Sequence, residues 1–112
     1  MSADTLVALL LALVMIWAGA LNLVGPGFIR SEFKGWGYPD SLRIAVGLTE
    51  WAAALALLFP ATRMAGCALA AAVLLGVVYT FLRHGERMRL EYPLVLLALV
   101  VIVSARAANV IG

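Results

Sequence analysis

Long apolar runs dominate the chain, and its polar residues gather between them. No charge occurs from Thr5 to Val24, from Met64 to Leu82 or from Tyr92 to Ala105, and only Arg106 interrupts the last run before Ile111. The stretch from Leu42 to Phe59 carries two charges, Arg43 and Glu50. Each run approaches the roughly 20 residues that a helix needs to cross about 30 Å of hydrocarbon. The pattern predicts an all-α protein of four transmembrane helices over about 5–24, 41–59, 63–83 and 90–111, a single membrane domain over residues 1–112 with short loops. The first run reads as a retained helix. Asp4 is the only charge before it, and its apolar stretch outlasts an ordinary signal-peptide core.

Three of the four predicted helices have two distinct faces at spacings of three and four. In the first, Leu6, Leu10, Leu13, Trp17 and Leu21 oppose Ala8, Ala12, Met15, Gly19 and Asn22. In the second, Ile44, Leu48, Trp51, Leu55 and Leu58 oppose Arg43, Gly47, Glu50, Ala54 and Leu57. In the third, Ala65, Ala68, Ala72, Gly76 and Tyr79 line up, with Arg83 a turn further. The fourth shows no clear stripe. Lipid gives helices no hydrophobic reason to associate, so close contact between small residues must hold them together. Gly19, Gly47, Ala68, Ala72 and Gly76 are therefore expected to pack between helices, with the leucine–tryptophan faces toward lipid.

Composition agrees with a membrane setting: 65% of the 112 residues are hydrophobic and 12% are charged. A soluble domain of this size could not cover so much apolar surface. Charge then orients the chain. Arg30, Lys34, Arg43, Arg83, Arg87 and Arg89 fall at one end of the predicted helices, and only Arg63 and Arg106 at the other. The positive-inside rule puts the first group in the cytoplasm. A multi-pass protein of the cell membrane with both termini extracytoplasmic follows, and the imbalance opposes dual topology.

The longest connection, "GPGFIRSEFKGWGYPD" from Gly25 to Asp40, mixes aromatic and charged residues. It suits the headgroup layer, where rings and snorkelling cations both fit; a lid over a ligand site is the rival reading. Gly35, Gly37 and Pro39 exclude a long helix there.

Several chemistries are not expected. No basic stripe lies free of the membrane, so no nucleic-acid partner is predicted. One cysteine, Cys67, makes neither a disulfide nor a CxxC pair, and reads as a core or lipid-facing residue. His84 is the only histidine, which leaves no ordinary zinc or bis-histidine haem site. No phosphate-cradling glycine loop and no nucleophile triad can be argued. A complete enzyme in this one chain is not the expectation.

Glu50, in "VGLTEWAAALAL", is the exception in an otherwise apolar frame. It sits seven residues beyond Arg43, about 10 Å further into the membrane, on a face of small residues. An intramembrane acid pairs with a partner or marks a functional path. Glu50 could pair with Arg43 or Arg106, or stay neutral and bond a neighbour. It could be a proton-linked site, or bond the polar head of a lipophile such as a quinone. Glu50, Arg43, Asn22, Tyr79 and Arg106 are the candidate ligand or proton-site residues.

These features together resemble the DoxX-like family of small bacterial membrane proteins. The likeness runs in order through "AGALNL", "GWGYP", "RIAVGLTEWAAALALLFPATRMAG" and "FLRHGE". Gly47 and Glu50 match the signature of the family's second helix, and Arg63 and Gly66 the start of its third. The resemblance implies a four-helix bundle of the bacterial inner membrane. Some members are assigned to thiosulfate:quinone oxidoreduction. With one cysteine and a short chain, quinone contact or an accessory role in a membrane redox complex is the simpler implication. Such a role brings partner subunits or a homo-oligomer. Two rival classes remain. A small proton-coupled transporter like the small multidrug-resistance proteins has similar length, but no acid lies within the first apolar run here. A purely structural assembly subunit would use only the small-residue faces.

Overall fold

The computed structural model describes residues 2–111, with side chains through residue 108. Met1 and Gly112, on which the expected side of the termini bears, lie outside the described residues. The fold is helical throughout: α1 (Ala3–Val24), α2 (Gly27–Gly35), α3 (Asp40–Leu57), α4 (Arg63–Arg83) and α5 (Glu91–Ile111), with 3-10 turns at Pro60–Thr62 and Arg87–Arg89. Among the described residues there are therefore five α-helices where four transmembrane helices were expected. The added element is the short α2, in the connection expected to lie flat.

Local chemistry sets the boundaries. Ser2 caps α1 by accepting from the Thr5 amide at 3.2 Å. Gly25 ends α1 in the left-handed region, φ 64°, and returns its N–H to the Leu21 carbonyl. Gly25 cannot be replaced freely, because a Cβ there would meet the Arg43 guanidinium. Pro60 ends the second predicted helix early. The residue before a proline avoids helical geometry, so Phe59 is extended (φ −114°, ψ 129°) and α3 stops at Leu57 rather than 59.

Helices α1, α3, α4 and α5 pack in that order around a common core, and α5 closes back on α1 along the thinnest seam. Ala8, Leu11, Ala12, Met15, Ala53, Ala54, Leu57, Cys67, Ala70, Leu74, Leu96, Val100 and Val103 form the core. The long axis is 43 Å, close to the roughly 40–45 Å of a bilayer with its headgroups. Three helical stretches, Ala3–Val24, Pro60–Arg83 and Arg87–Ala108, are long and apolar enough to cross a membrane. The stretch containing α3 falls short on composition, since Asp40, Arg43 and Glu50 all lie within its 18 residues.

The α1–α3 contact is close because both surfaces are bare. A Cβ on Gly47 would lie 2.8 Å from Leu23 Cγ and 3.1 Å from the Gly19 carbonyl, and one on Gly19 would strike the Trp51 indole. Trp51 was expected to face lipid; it is half exposed, but its indole N–H crosses to α1 and donates to the Ile16 carbonyl at 3.0 Å.

The third predicted stripe needs correction. Ala65, Ala68, Ala72, Gly76 and Tyr79 are exposed, and the inward face of α4 is Gly66, Cys67, Ala70, Leu74, Thr80 and Phe81. A Cβ on Gly66 would meet Leu57 at 2.9 Å, whereas one on Gly76 would meet nothing within 4 Å. Helix α4 carries small residues on both sides, so periodicity alone could not choose between them. On α5 the inward stripe is Pro93, Leu96, Val100, Val103 and Ala107. It was hidden because Leu94, Val95, Val101 and Ile102 make the outer face equally apolar.

Candidate functional site

The turn spacing of α3 places Arg43, Gly47 and Glu50 on one buried face. Glu50 is 3% exposed, and its Oε1 accepts a hydrogen bond from Asn22 Nδ2 at 2.5 Å. Side chains on a helix lean toward its N-terminus. Because α1 and α3 run in opposite directions, Asn22 leans into the bundle and Glu50 leans back toward the end where α3 begins. The two meet across the bare Gly19–Gly47 contact. No cation pairs with Glu50 among the described residues.

Arg43, 3% exposed, has a different task. Its guanidinium donates to the Asn22 carbonyl and, at 3.4 Å, to the Leu23 carbonyl, and it reaches Asp40 at 3.4 Å. Arg30 Nε donates to the Gly25 carbonyl at 2.6 Å. Two arginines thus satisfy the last carbonyls of α1, where the helix dipole is negative.

The remaining candidates lie elsewhere. Tyr79 is 58% exposed and turned outward, with Arg83 NH1 3.5 Å from its hydroxyl. Arg106 pairs with Asp4 at 3.1 Å near the start of α1. The suggested Glu50–Arg106 and Glu50–Arg43 ion pairs are therefore both absent from this arrangement. Arg106, one of the possible partners of Glu50, is exposed and finds its acid at the rim. A shallow depression there is lined by Asp4, Pro60, Arg63, Val103, Arg106 and Ala107. Among the described residues no group of three metal-ligating side chains occurs.

Sequence reasoning missed Tyr92, at the start of α5, which lies within electrostatic reach of the Glu50 carboxyl. It also missed a second polar cluster where α2 meets the end of α4. The Trp36 indole donates to Glu86 Oε2 at 2.8 Å, while Arg89 reaches Glu86 Oε1 at 2.8 Å and Glu32 at 2.5 Å. Tyr38 bonds Thr80 at 2.9 Å, and Thr80 in turn donates to the Gly76 carbonyl. Phe33, Trp36, Tyr38, Phe81 and His84 pack edge to face around these bonds, with Arg89 4.5 Å above the Phe81 ring. The Glu86 carboxyl is held below the usual carboxylate range by the Trp36 N–H and then by Arg89. "GWGYP" and "HGE" carry this cluster, and nothing in either alone says that they meet.

The profile described as the DoxX-like family matches residues 6–103, a span that contains both clusters. No curated protein and no solved structure matches the chain.

Proposed function

The chain belongs to the DoxX-like family, and from that membership we propose a small accessory subunit of a membrane redox system that binds the polar head of a quinone-like lipophile at Glu50. The chain is one multi-pass domain over residues 1–112, with α1, α3, α4 and α5 crossing the cell membrane and both termini extracytoplasmic. It is not a complete enzyme by itself.

The observation that carries this reading is a buried carboxyl with an amide partner and no cation. A purely structural acid in a bundle is ordinarily paired. Asn22 occupies Oε1 only, and no group among the described residues bonds Oε2. Asn22 and Glu50 offer an amide and an acid, which suit a carbonyl or hydroxyl on a flat lipophilic head, and Tyr92 stands within electrostatic reach of the acid. The thin α1–α5 seam supports lateral entry from lipid. Its one side-chain ion pair among the described residues, Asp4–Arg106, lies at the opposite end from Tyr92.

The test is quinone carried through gentle purification, quantified by extraction and native mass spectrometry for the unaltered chain and for Glu50→Gln. The proposal expects bound quinone in the first and at least a tenfold loss in the second, at matched thermal stability. Equal quinone in both, or none in either, would overturn it and leave the Asn22–Glu50 bond as a structural clasp.

A further inference from the structure

The cations at the α2 end divide into two kinds. Arg43 is buried on the α1 carbonyls, and Arg89 takes both Glu32 and Glu86. Glu32 and Glu86 are thus both spent on one arginine, which is itself partly exposed. Arg30, Lys34, Arg83 and Arg87 are exposed, and no acid pairs with them among the described residues.

Their placement is ordered. On α2, Arg30 and Lys34 lie two positions either side of Glu32, so at about 100° per residue both point opposite to it. Glu32 faces Arg89 and the bundle; Arg30 and Lys34 face away. Arg30 spends its Nε on the Gly25 carbonyl, which leaves the fork of its guanidinium free among the described residues. Arg87 sits between Glu86 and Arg89, both joined to α2, and so extends the same rim. Apolar groups stand at this level too: Phe28 is 62%, Leu82 51% and Met88 95% exposed. Cations interleaved with exposed apolar side chains match phosphates above acyl chains.

We propose that the outer face of α2 and the Arg87 turn form a docking surface for anionic phospholipid headgroups. Arg30, Lys34 and Arg87 contact the phosphates, and Phe28 and Met88 enter the acyl boundary beneath them. The Glu32–Arg89–Glu86 contacts turn these two carboxylates away from Arg30 and Lys34.

The full chain in nanodiscs of equal phosphatidylglycerol and phosphatidylcholine provides the test. Native mass spectrometry counts the lipids that remain bound. The unaltered chain is expected to retain phosphatidylglycerol in preference, with the ratio falling about fivefold for each cation removed in Lys34→Gln and Arg87→Gln. Neither side chain bonds another residue among the described residues. The ratio is read within one sample, so a loss of folded protein does not imitate the effect. Arg63→Gln with Arg106→Gln, at the other end, is expected to leave the ratio unchanged. Equal retention of the two lipids by the unaltered chain would overturn the proposal. So would a preference that survives loss of both Lys34 and Arg87, or one that follows Arg63 and Arg106 instead. None of these outcomes depends on whether Glu50 binds a quinone.

Discussion

Asn22 and Glu50 are joined at 2.5 Å across α1 and α3, although their positions along the chain suggest different depths. The opposed lean of side chains on antiparallel helices closes the gap. Removing one partner strands the other in the bundle. Asn22→Ala is expected to cost about 1–3 kcal/mol, the penalty of an unsatisfied buried polar group. Glu50→Gln, which keeps shape and hydrogen bonding, is expected to cost about 1 kcal/mol or less. Unfolding in detergent measures both, and a double-mutant cycle between the two positions should show coupling. Additive effects would mean that the bond adds nothing to stability.

Glycines on the two sides of the bundle should respond in opposite ways. Gly47→Ala drives a methyl against Leu23 and the Gly19 carbonyl, an overpacking expected to cost about 1–3 kcal/mol. Gly76→Ala meets open space and should be neutral or stabilising by up to about 1 kcal/mol through helix propensity. Leu74, 1% exposed, should cost about 2–5 kcal/mol on truncation to Ala. Thermal stability of the three variants in one detergent separates these outcomes. A strongly destabilised Gly76→Ala would put that face in an interface.

The amphipathic sorting of α1 and α3 was legible because each carries bulky apolar residues on one side and small or polar ones on the other. On α4 it was not, since Gly66 and Ala70 compete with Ala68, Ala72 and Gly76 for the same role. On α5 every face is apolar, and only neighbours decide which is buried. The inward position of Glu50 was visible from its face of small residues, and that of Asn22 from its stripe. Their mutual contact depended on side-chain lean. Tyr92 gave no signal, because an aromatic residue at a helix start reads equally as an interfacial anchor. The α2–α4 cluster joins residues 50 apart in the chain, which only the fold brings together.

Arg106 and Glu50 should act independently. Arg106 is 59% exposed and paired with Asp4, and exposed ion pairs contribute about 0–1 kcal/mol. Arg106→Gln is expected to stay within that range and to add to Glu50→Gln without coupling. Recovery of stability in the double variant would restore the ion pair that the fold has set aside.

Orientation can be read with reporters. The cluster of Arg30, Lys34, Arg43, Arg83, Arg87 and Arg89 at one end predicts that a fusion after Gly112 is active only when the reporter works outside the cytoplasm. A fusion at Lys34 should give the reverse. Activity of a cytoplasm-only reporter after Gly112 would invert the whole assignment.

The attachment of α2 to α4 should weaken in acid. Glu86 is held below its ordinary value of 4.5 by the Trp36 N–H and then by Arg89. A carboxylate whose folded value is depressed stabilises the fold fully above its unfolded value. It loses that contribution as pH falls through the folded one. The contacts of residues 27–39 with α4 should therefore be unchanged from pH 7 to about 5 and loosen below 4.5, as protonated Glu86 gives up its charge-assisted bonds. Hydrogen exchange over Gly27–Gly35 and the fluorescence of Trp36 read this directly. Glu86→Gln should already show the loosened state at pH 7, with no further change on acidification from this site. Protection of the α2 amides, corrected for the intrinsic pH dependence of exchange, that is flat from pH 7 to 3.5 in the unaltered chain would show that the aromatic packing of Trp36 on Phe81 and His84, rather than the carboxylate, holds the segment down.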